Sequence, residues 1–336
     1  MAGATRQASR VAKGKQKMRD WTSVGDRAPV HADAADGDTL QPQDGVEAWV
    51  QANWAQAPET FHLTVEGASI ACRGWNLDAA DLPGIVLVHG FRAHAEWWDH
   101  IAPALTARHR VVAFSMSGMG DSGWREAYSR RQWGREALVV ATALRFTPTT
   151  IIAHSFGVMG CLLAAKDSPD QVRRLIVIDS GIPDLDAGDH RIPTSYGRTY
   201  PDAETAIDRF RLVPPGRWPH PSILAYIAHT SVVELEDGWT WKFDPRLAAS
   251  LNEEVYIDSM VGVPVPVDVI RGEHSEVMQG GHVGRLRRFC EDMGDEIVIP
   301  ASHHHIPIEQ PASLTAALLG LLANERRYAP ERAGRR

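Results

Sequence analysis

The chain has 336 residues, of which 44% are hydrophobic and 23% charged, and a formal net charge of −7. This length and composition suit one large α/β domain with an insertion, or two domains, and the negative charge gives no reason to expect a nucleic-acid surface. The sequence contains no apolar run of about 18 residues, so we predict no membrane-spanning helix. Cys72, Cys161 and Cys290 form no CxxC pair, which favours a reducing compartment, and we expect a cytoplasmic protein.

Both ends of the chain are predicted to be tails. Residues 1–43 lack hydrophobic periodicity, and the first nineteen contain six basic residues and no acidic one. We predict a disordered N-terminal tail here and a flexible tail over 326–336. From Val46, apolar residues recur at helical spacing and predict a short helix.

From residue 61, apolar strands alternate with helical patterns. The predicted strands are 61–65 and 69–73, which form a hairpin, then 84–88, 110–114, 149–153, 175–178, 265–270 and 296–299. The predicted helices are 96–105, 130–144, 156–165 and 312–322. Because buried strands joined by helices form parallel sheets covered on both faces, we predict an α/β fold with a mostly parallel sheet.

Residues 183–260 interrupt this alternation. They are rich in proline, arginine and aromatic residues, and they contain two short helical patterns, 203–210 and 222–228. A segment this long between two core strands is too large for a loop. We therefore predict a cap inserted between two core segments, 44–182 and 261–325.

A serine lies where a predicted strand runs into a helix, in the segment Ala153-His154-Ser155-Phe156-Gly157. Such a turn lifts a serine hydroxyl above the sheet, where it can act as a nucleophile. The usual pattern is G-x-S-x-G, and Ala153 replaces the first glycine. A methyl group is the smallest possible addition, so this departure from the pattern is minor. We therefore predict that Ser155 is the nucleophile.

An earlier strand ends in Val88-His89-Gly90-Phe91. A tetrahedral intermediate needs two N–H donors for its oxygen. The backbone N–H groups of Phe91 and Phe156 are the predicted oxyanion-hole donors, the second because it directly follows the nucleophile.

Three motifs in this order, HGF at 89–91, SGMGDS at 117–122 and AHSFG at 153–157, resemble those of the α/β-hydrolase superfamily. The resemblance extends from about residue 60 to about residue 323. It implies an eight-stranded, mostly parallel sheet with helices on both faces and an inserted helical cap. It also implies a Ser-acid-His serine hydrolase that needs no metal and no organic cofactor. Gly118, Gly120 and Asp121 are interpreted as a structural turn.

The family order of catalytic residues is nucleophile, acid, histidine. The segment 269–277 resembles the family's pattern of a strand followed by R-G-x-x-S-D, with Glu276 where aspartate is commoner. We predict Glu276 as the acid that orients the histidine. Glu273 and Asp179, which follows an earlier strand, are the alternatives.

The base is expected after the last strand, where three histidines adjoin one another in the segment 301–311. The family pattern places an acid five residues after the histidine and a proline shortly after the acid. Counting back from Glu309 predicts His304 as the base, with His303 as the alternative. Adjacent histidines in a loop rarely converge on a metal, and His154 is expected to point away from Ser155.

The predicted activity is hydrolysis of a small apolar carboxylic ester through an acyl-serine intermediate. The alternatives are a carbon–carbon hydrolase of vinylogous diketones and a non-catalytic ligand-binding protein on the same scaffold. Arg92, Trp98 and Trp124 are the predicted substrate-binding residues. The expected partner is a small-molecule substrate, and we expect a monomer or homodimer.

Overall fold

The apolar runs of the sequence form the central sheet of the protein. The computed structural model describes residues 44–181, 198–248, 261–278 and 281–324. Both predicted tails and part of the insertion lie outside the described residues. The strands are β1 (Glu59–Val65), β2 (Ala68–Trp75), β3 (Gly84–Val88), β4 (Arg110–Phe114), β5 (Thr149–His154), β6 (Val172–Ile178), β7 (Val232–Leu235), β8 (Gly238–Trp241), β9 (Val267–Gly272) and β10 (Met293–Ile299).

Eight of these strands form one mixed sheet in the order β1-β2-β4-β3-β5-β6-β9-β10. The β1–β2 and β2–β4 pairs are antiparallel, and the remaining pairs are parallel. Every residue of β3, β4 and β5 is buried, which explains why these strands are continuously apolar. The sheet confirms the predicted fold class.

Helices cover both faces of the sheet. The described helices of the protein are α1 (Asp44–Trp54), α2 (Arg130–Ala143), α3 (Gly157–Asp167), α4 (Ala203–Asp208), α5 (Pro221–Thr230), α6 (His282–Phe289), α7 (Ile306–Glu309) and α8 (Pro311–Ala323), of which α4 and α5 lie in the insertion. One large apolar cluster packs α2 and α3 on one face, and a second packs α8 on the other. Each fully buried aliphatic side chain in these clusters contributes about 1.5 to 3 kcal/mol. Within the described ranges, no helix is long and apolar enough to cross a membrane.

One helix prediction is wrong. The segment predicted as a helix over 96–105 forms two short 3₁₀ turns instead, Ala95–Trp98 and Ala102–Leu105. Pro103 has no N–H to donate, and its ring opposes a continuous α-helix through this segment. The sequence also left α6 unpredicted.

The insertion between β6 and β9 contains α4 and α5. It also contains an antiparallel hairpin of β7 and β8 that the sequence did not predict. Polar contacts join it to the core. The Tyr226 hydroxyl donates to Asp99 at 2.5 Å, and the Tyr128 hydroxyl donates to Asp244 at 2.8 Å. Apolar residues of α5 also pack with Trp97. These contacts fix the described part of the insertion against the core.

Candidate active site

Ser155 occupies a sharp turn between β5 and α3. Its φ is 52°, a left-handed conformation that costs a non-glycine residue about 1 to 2 kcal/mol. A Cβ atom at Gly157 would lie 2.5 Å from the carbonyl oxygen of His89, so this position requires glycine. Ala153 is fully buried and pairs with β3 and β6, so the sheet accommodates its methyl group.

His304 contacts Ser155, and it follows β10 as the sequence predicted. Its Nε2 lies 2.8 Å from the Ser155 Oγ, and the side chain is buried. His303, the alternative, lies elsewhere: its ring packs against Trp218 with centroids 4.7 Å apart. The structure therefore brings His304, and not His303, to the serine.

The carboxylate beside His304 is Asp179, the residue directly after β6. Its Oδ2 lies 2.7 Å from the His304 Nδ1. The Ser275 hydroxyl donates to the same oxygen at 2.6 Å, and the Gly272 N–H donates to Oδ1 at 2.9 Å. Asp179 has no exposed surface and a φ of 45°. Its position is set by three polar contacts and a strained backbone.

This arrangement corrects the prediction of Glu276 as the acid. Glu276 is exposed, and so is Glu273, whose carboxylate accepts the Ala301 N–H at 2.9 Å. The end of β9 contributes the Gly272 N–H to the site, and the loop after β9 contributes Ser275 instead of a carboxylate. Because β6 and β9 are neighbouring parallel strands, the residue after β6 reaches His304 while this loop supports it.

The two predicted oxyanion donors lie in adjacent loops. The rings of Phe91 and Phe156 have centroids 5.0 Å apart, and a Cβ atom at Gly90 would lie 3.3 Å from the Ser155 Cβ. Within the described residues, neither phenylalanine N–H has a protein acceptor. Both groups are thus beside the serine and able to donate to an oxyanion.

His89 shapes the first of these loops. One ring nitrogen, Nε2, accepts the Met116 N–H at 2.9 Å, and Nδ1–H donates to the Gly90 carbonyl at 2.7 Å. Burial lowers the pKa of His89 to about 3, so the ring is neutral at neutral pH and holds this tautomer.

Sequence reasoning did not assign a role to His154. Its buried Nε2–H donates to the backbone carbonyl of His304 at 3.0 Å, and burial holds its pKa well below the usual range. The nucleophile's neighbour therefore supports the loop that carries the base. The only signal in the sequence was its position beside Ser155.

Glu309 is a second residue whose role the sequence did not reveal. In the sequence, Glu309 served only as the reference position from which His304 was identified. Its buried carboxylate accepts the His303 N–H at 2.6 Å and the Arg217 N–H at 3.2 Å. Burial raises the pKa of Glu309. The side chain connects the histidine loop to the insertion.

The three predicted substrate-binding residues differ in position. Arg92 lies beside the site, with its guanidinium carbon 4.9 Å from the ring centre of Phe91. Trp98 is wrong as a pocket residue because it is 1% exposed and packs in the apolar core. Trp124 is 50% exposed and lies beneath the guanidinium of Arg246.

The described ranges hold no group of three histidine, cysteine, aspartate or glutamate side chains placed to bind a metal ion. All three cysteines are buried and free.

The sequence pattern of the Alpha/beta hydrolase family matches residues 85–318. The chain belongs to this family. It is 22% identical over 270 residues to sn-1-specific diacylglycerol lipase ABHD11 of Mus musculus, a match that covers 73% of this chain and 82% of that protein. It is 33% identical over 100 residues to pyrrolizixenacetamide deacetylase of Xenorhabdus hominickii, covering 29% of this chain and 37% of the deacetylase.

Solved hydrolase structures share the fold. An esterase from Mycobacterium tuberculosis superposes with a TM-score of 0.65 at 21% identity, covering 84% of this chain and 99% of the esterase. A thioesterase domain from the curacin biosynthetic pathway gives a TM-score of 0.65 at 21% identity, covering 78% of this chain and 99% of that domain. Since both identities are low, these likenesses concern the fold alone.

Proposed function

We propose that this α/β hydrolase cleaves a small carboxylic ester through an acyl-serine intermediate at Ser155. The observation that carries the proposal is the continuous series of contacts from the Ser155 Oγ to His304 at 2.8 Å and from His304 to Asp179 at 2.7 Å. Serine, histidine and a carboxylate in this arrangement activate a nucleophile for acyl transfer. A ligand-binding protein has no need of all three side chains in this arrangement.

In the proposed reaction, the Ser155 Oγ attacks the ester carbonyl and His304 Nε2 takes the hydroxyl proton. The oxyanion accepts hydrogen bonds from the N–H groups of Phe91 and Phe156. Asp179 stabilises the imidazolium. His304 then protonates the departing alkoxide, and a water molecule, activated by the same imidazole, cleaves the acyl-serine ester.

We also propose that the insertion acts as a cap over this site. The support is its contacts with residues beside Ser155. The ring centre of Phe243, in the insertion, lies 4.8 Å from the Arg92 guanidinium carbon. The Pro214 carbonyl accepts a hydrogen bond at 2.7 Å from His305, which adjoins the base. A cap of this kind would exclude water and shape the acyl pocket.

A fluorophosphonate probe tests the nucleophile, because it forms a covalent bond only with an activated serine. We expect a single labelled peptide that contains Ser155. The Ser155→Ala variant should lose labelling and about 10⁶-fold in kcat on p-nitrophenyl esters. An exposed control, Ser69→Ala, should keep both. Native, folded protein that stays unlabelled would overturn the proposal.

The chain contains an internal control for this experiment. Ser231 Oγ lies 2.8 Å from His94 Nε2, and His94 Nδ1 lies 2.8 Å from Glu96. This second Ser-His-carboxylate series is buried, and the Ser231 hydroxyl donates to the Ile227 carbonyl at 2.6 Å. Its proton is therefore not directed at the histidine. Labelling of Ser231 instead of Ser155 would show that Ser155 is not the nucleophile.

A further inference from the structure

The oxygen of Asp179 that faces His304 accepts two hydrogen bonds. His304 Nδ1–H donates to Oδ2 at 2.7 Å, and the Ser275 hydroxyl donates to the same atom at 2.6 Å. All three side chains are buried, and Ser275 is only 2% exposed. Ser275 therefore shares its acceptor with the imidazole that would take the proton of Ser155.

The backbone around Ser275 fixes the position of this hydroxyl. The Ser275 N–H donates to the Gly272 carbonyl at 3.3 Å, which closes a turn at the end of β9. The His274 N–H donates to the Ser302 carbonyl at 2.9 Å, so the turn is also attached to the loop after β10. A Cβ atom at Gly272 would lie 2.2 Å from the His303 carbonyl oxygen, so this close approach requires glycine. The hydroxyl is thus held between the loop that carries the base and the residue after β6.

A hydroxyl in this position has two effects on the carboxylate. It restricts the Asp179 side chain, because a rotation of Oδ2 away from His304 would break a short, charge-assisted hydrogen bond. It also stabilises the negative charge on Oδ2, so less of that charge remains to stabilise the imidazolium of His304. The first effect aligns the base. The second keeps the imidazole unprotonated, and therefore able to accept the Ser155 proton, at lower pH.

We propose that Ser275 is a positioning residue of the hydrolysis, which aligns Asp179 with His304 and extends the activity of the base to lower pH. This inference rests on the proposed function. Ser275 acts through Asp179, and its hydroxyl proton stays on its own oxygen throughout the reaction. Its removal should therefore change the turnover and the pH dependence rather than substrate binding.

Other titratable groups lie near the base, and none of them depends on Ser275. The groups around the pair of Asp179 and His304 are His154, His303, His305 and Glu309. The loop of Ser275 itself carries Glu273, His274 and Glu276, all exposed. Burial lowers the pKa of His305 to about 3 and holds that of His154 well below its usual range, so both rings are neutral at neutral pH. Burial also lowers the pKa of His303 and raises that of Glu309. A substitution of Ser275 removes none of these groups, so a changed pH profile reports its hydroxyl.

The test measures kcat and KM for a p-nitrophenyl ester between about pH 5 and pH 9. It compares native protein with Ser275→Ala, which removes the hydroxyl, and Ser275→Cys, which nearly keeps its volume but supplies only a weak S–H donor. Both variants should move the acid limb of the kcat/KM profile to higher pH by about 0.5 to 1 unit. They should also lower kcat about threefold to tenfold at the plateau and leave KM within about twofold of native.

Ser302→Ala is the matched control. Ser302 is also buried and lies in the loop after β10, but its hydroxyl donates to the Ile299 carbonyl at 2.8 Å. This variant should lose thermal stability and keep the native acid limb. Thermal unfolding checks each variant, and Ser275→Cys carries the test if Ser275→Ala does not fold. An acid limb that coincides with the native limb in the folded Ser275 variants would overturn the inference, and so would an equal shift in Ser302→Ala.

The failure of this inference can be distinguished from failure of the proposed function. The rate at which fluorophosphonate labels Ser155 depends on the same base and needs no ester, so its pH profile repeats the comparison. Labelling with the same acid limb in native protein and the Ser275 variants overturns the role of Ser275 and leaves the nucleophile standing. Native, folded protein that is neither labelled nor active on esters overturns the proposed function and the inference with it.

Discussion

Replacing Asp179 by asparagine distinguishes between two candidate acids. Asp179 lies beside His304 in the structure, and Glu276 is the acid that the sequence favoured. Asparagine has almost the same shape, and its amide oxygen can still accept the N–H of Gly272. Its NH₂ group then faces His304 Nδ1 as a donor. This holds the imidazole in the tautomer with its proton on Nε2, which cannot accept the proton of Ser155.

The size of the effect follows from the contact distance. Asp179 Oδ2 and His304 Nδ1 are 2.7 Å apart, and both residues are buried. At an effective dielectric constant of about 20, the attraction between the carboxylate and the imidazolium is about 6 kcal/mol. The hydrogen bond from the neutral imidazole to the carboxylate is already present in the ground state, so only part of this attraction is gained in the transition state. We therefore expect Asp179→Asn to lower kcat about 10³- to 10⁴-fold.

The assay is steady-state hydrolysis of a p-nitrophenyl ester by purified native protein, Asp179→Asn and Glu276→Gln, with circular dichroism to check folding. Glu276 is exposed and, within the described residues, forms no hydrogen bond or ion pair with Ser155, His304 or Asp179, so its variant should retain native kcat within about twofold. A folded Asp179→Asn variant within tenfold of native activity would refute the reasoning. So would a thousandfold loss in Glu276→Gln.

Three further predictions concern the surroundings of the site. Gly157→Ala should lower kcat at least about tenfold, because its Cβ would lie 2.5 Å from the His89 carbonyl oxygen. Gly320→Ala, a helix position with open space, should instead raise thermal stability by about 0.5 to 1 kcal/mol, and equal effects of the two changes would contradict the packing argument. Glu309→Gln should cost about 1 to 3 kcal/mol of unfolding free energy and lower kcat, because a buried amide NH₂ group would face a backbone N–H; urea unfolding and kcat that both stay native would count against this role. Burial lowers the pKa of His100 to about 4, below its unfolded value of about 6.5, so the unfolded state binds the extra proton and stability falls as the pH drops through this window. Between pH 6 and pH 5 the unfolding free energy of His100→Gln should therefore decrease less than that of the native protein, by about 1 kcal/mol, and parallel pH profiles would exclude this contribution.

Features that depend only on residues close together in the sequence were predictable from it. Strands such as β3 and β5 are continuous apolar runs because both of their faces are buried. Ser155 lies at a strand-to-helix junction with a required glycine two residues on, and its φ of 52° is that of the expected sharp turn. His304 was predicted from its spacing from Glu309. In the structure, the Glu309 carboxylate accepts the N–H of His303, the residue before His304.

The carboxylate that lies beside His304 was decided only by the tertiary structure. Asp179 and Glu276 both follow a buried strand, and the local sequence offers a reason for each. The choice depends on the order of β6 and β9 in the sheet and on the direction of each side chain at the strand ends. The same limit applies to Trp98, which the sequence predicted to bind substrate and which the structure buries in the core. The sequence alone determined the fold class and the serine turn, because these follow from local periodicity and short-range sterics. The family resemblance supplied the spacing that identified the histidine. Asp179, Ser275 and His304 come from distant segments, and their contacts exist only once the sheet has assembled.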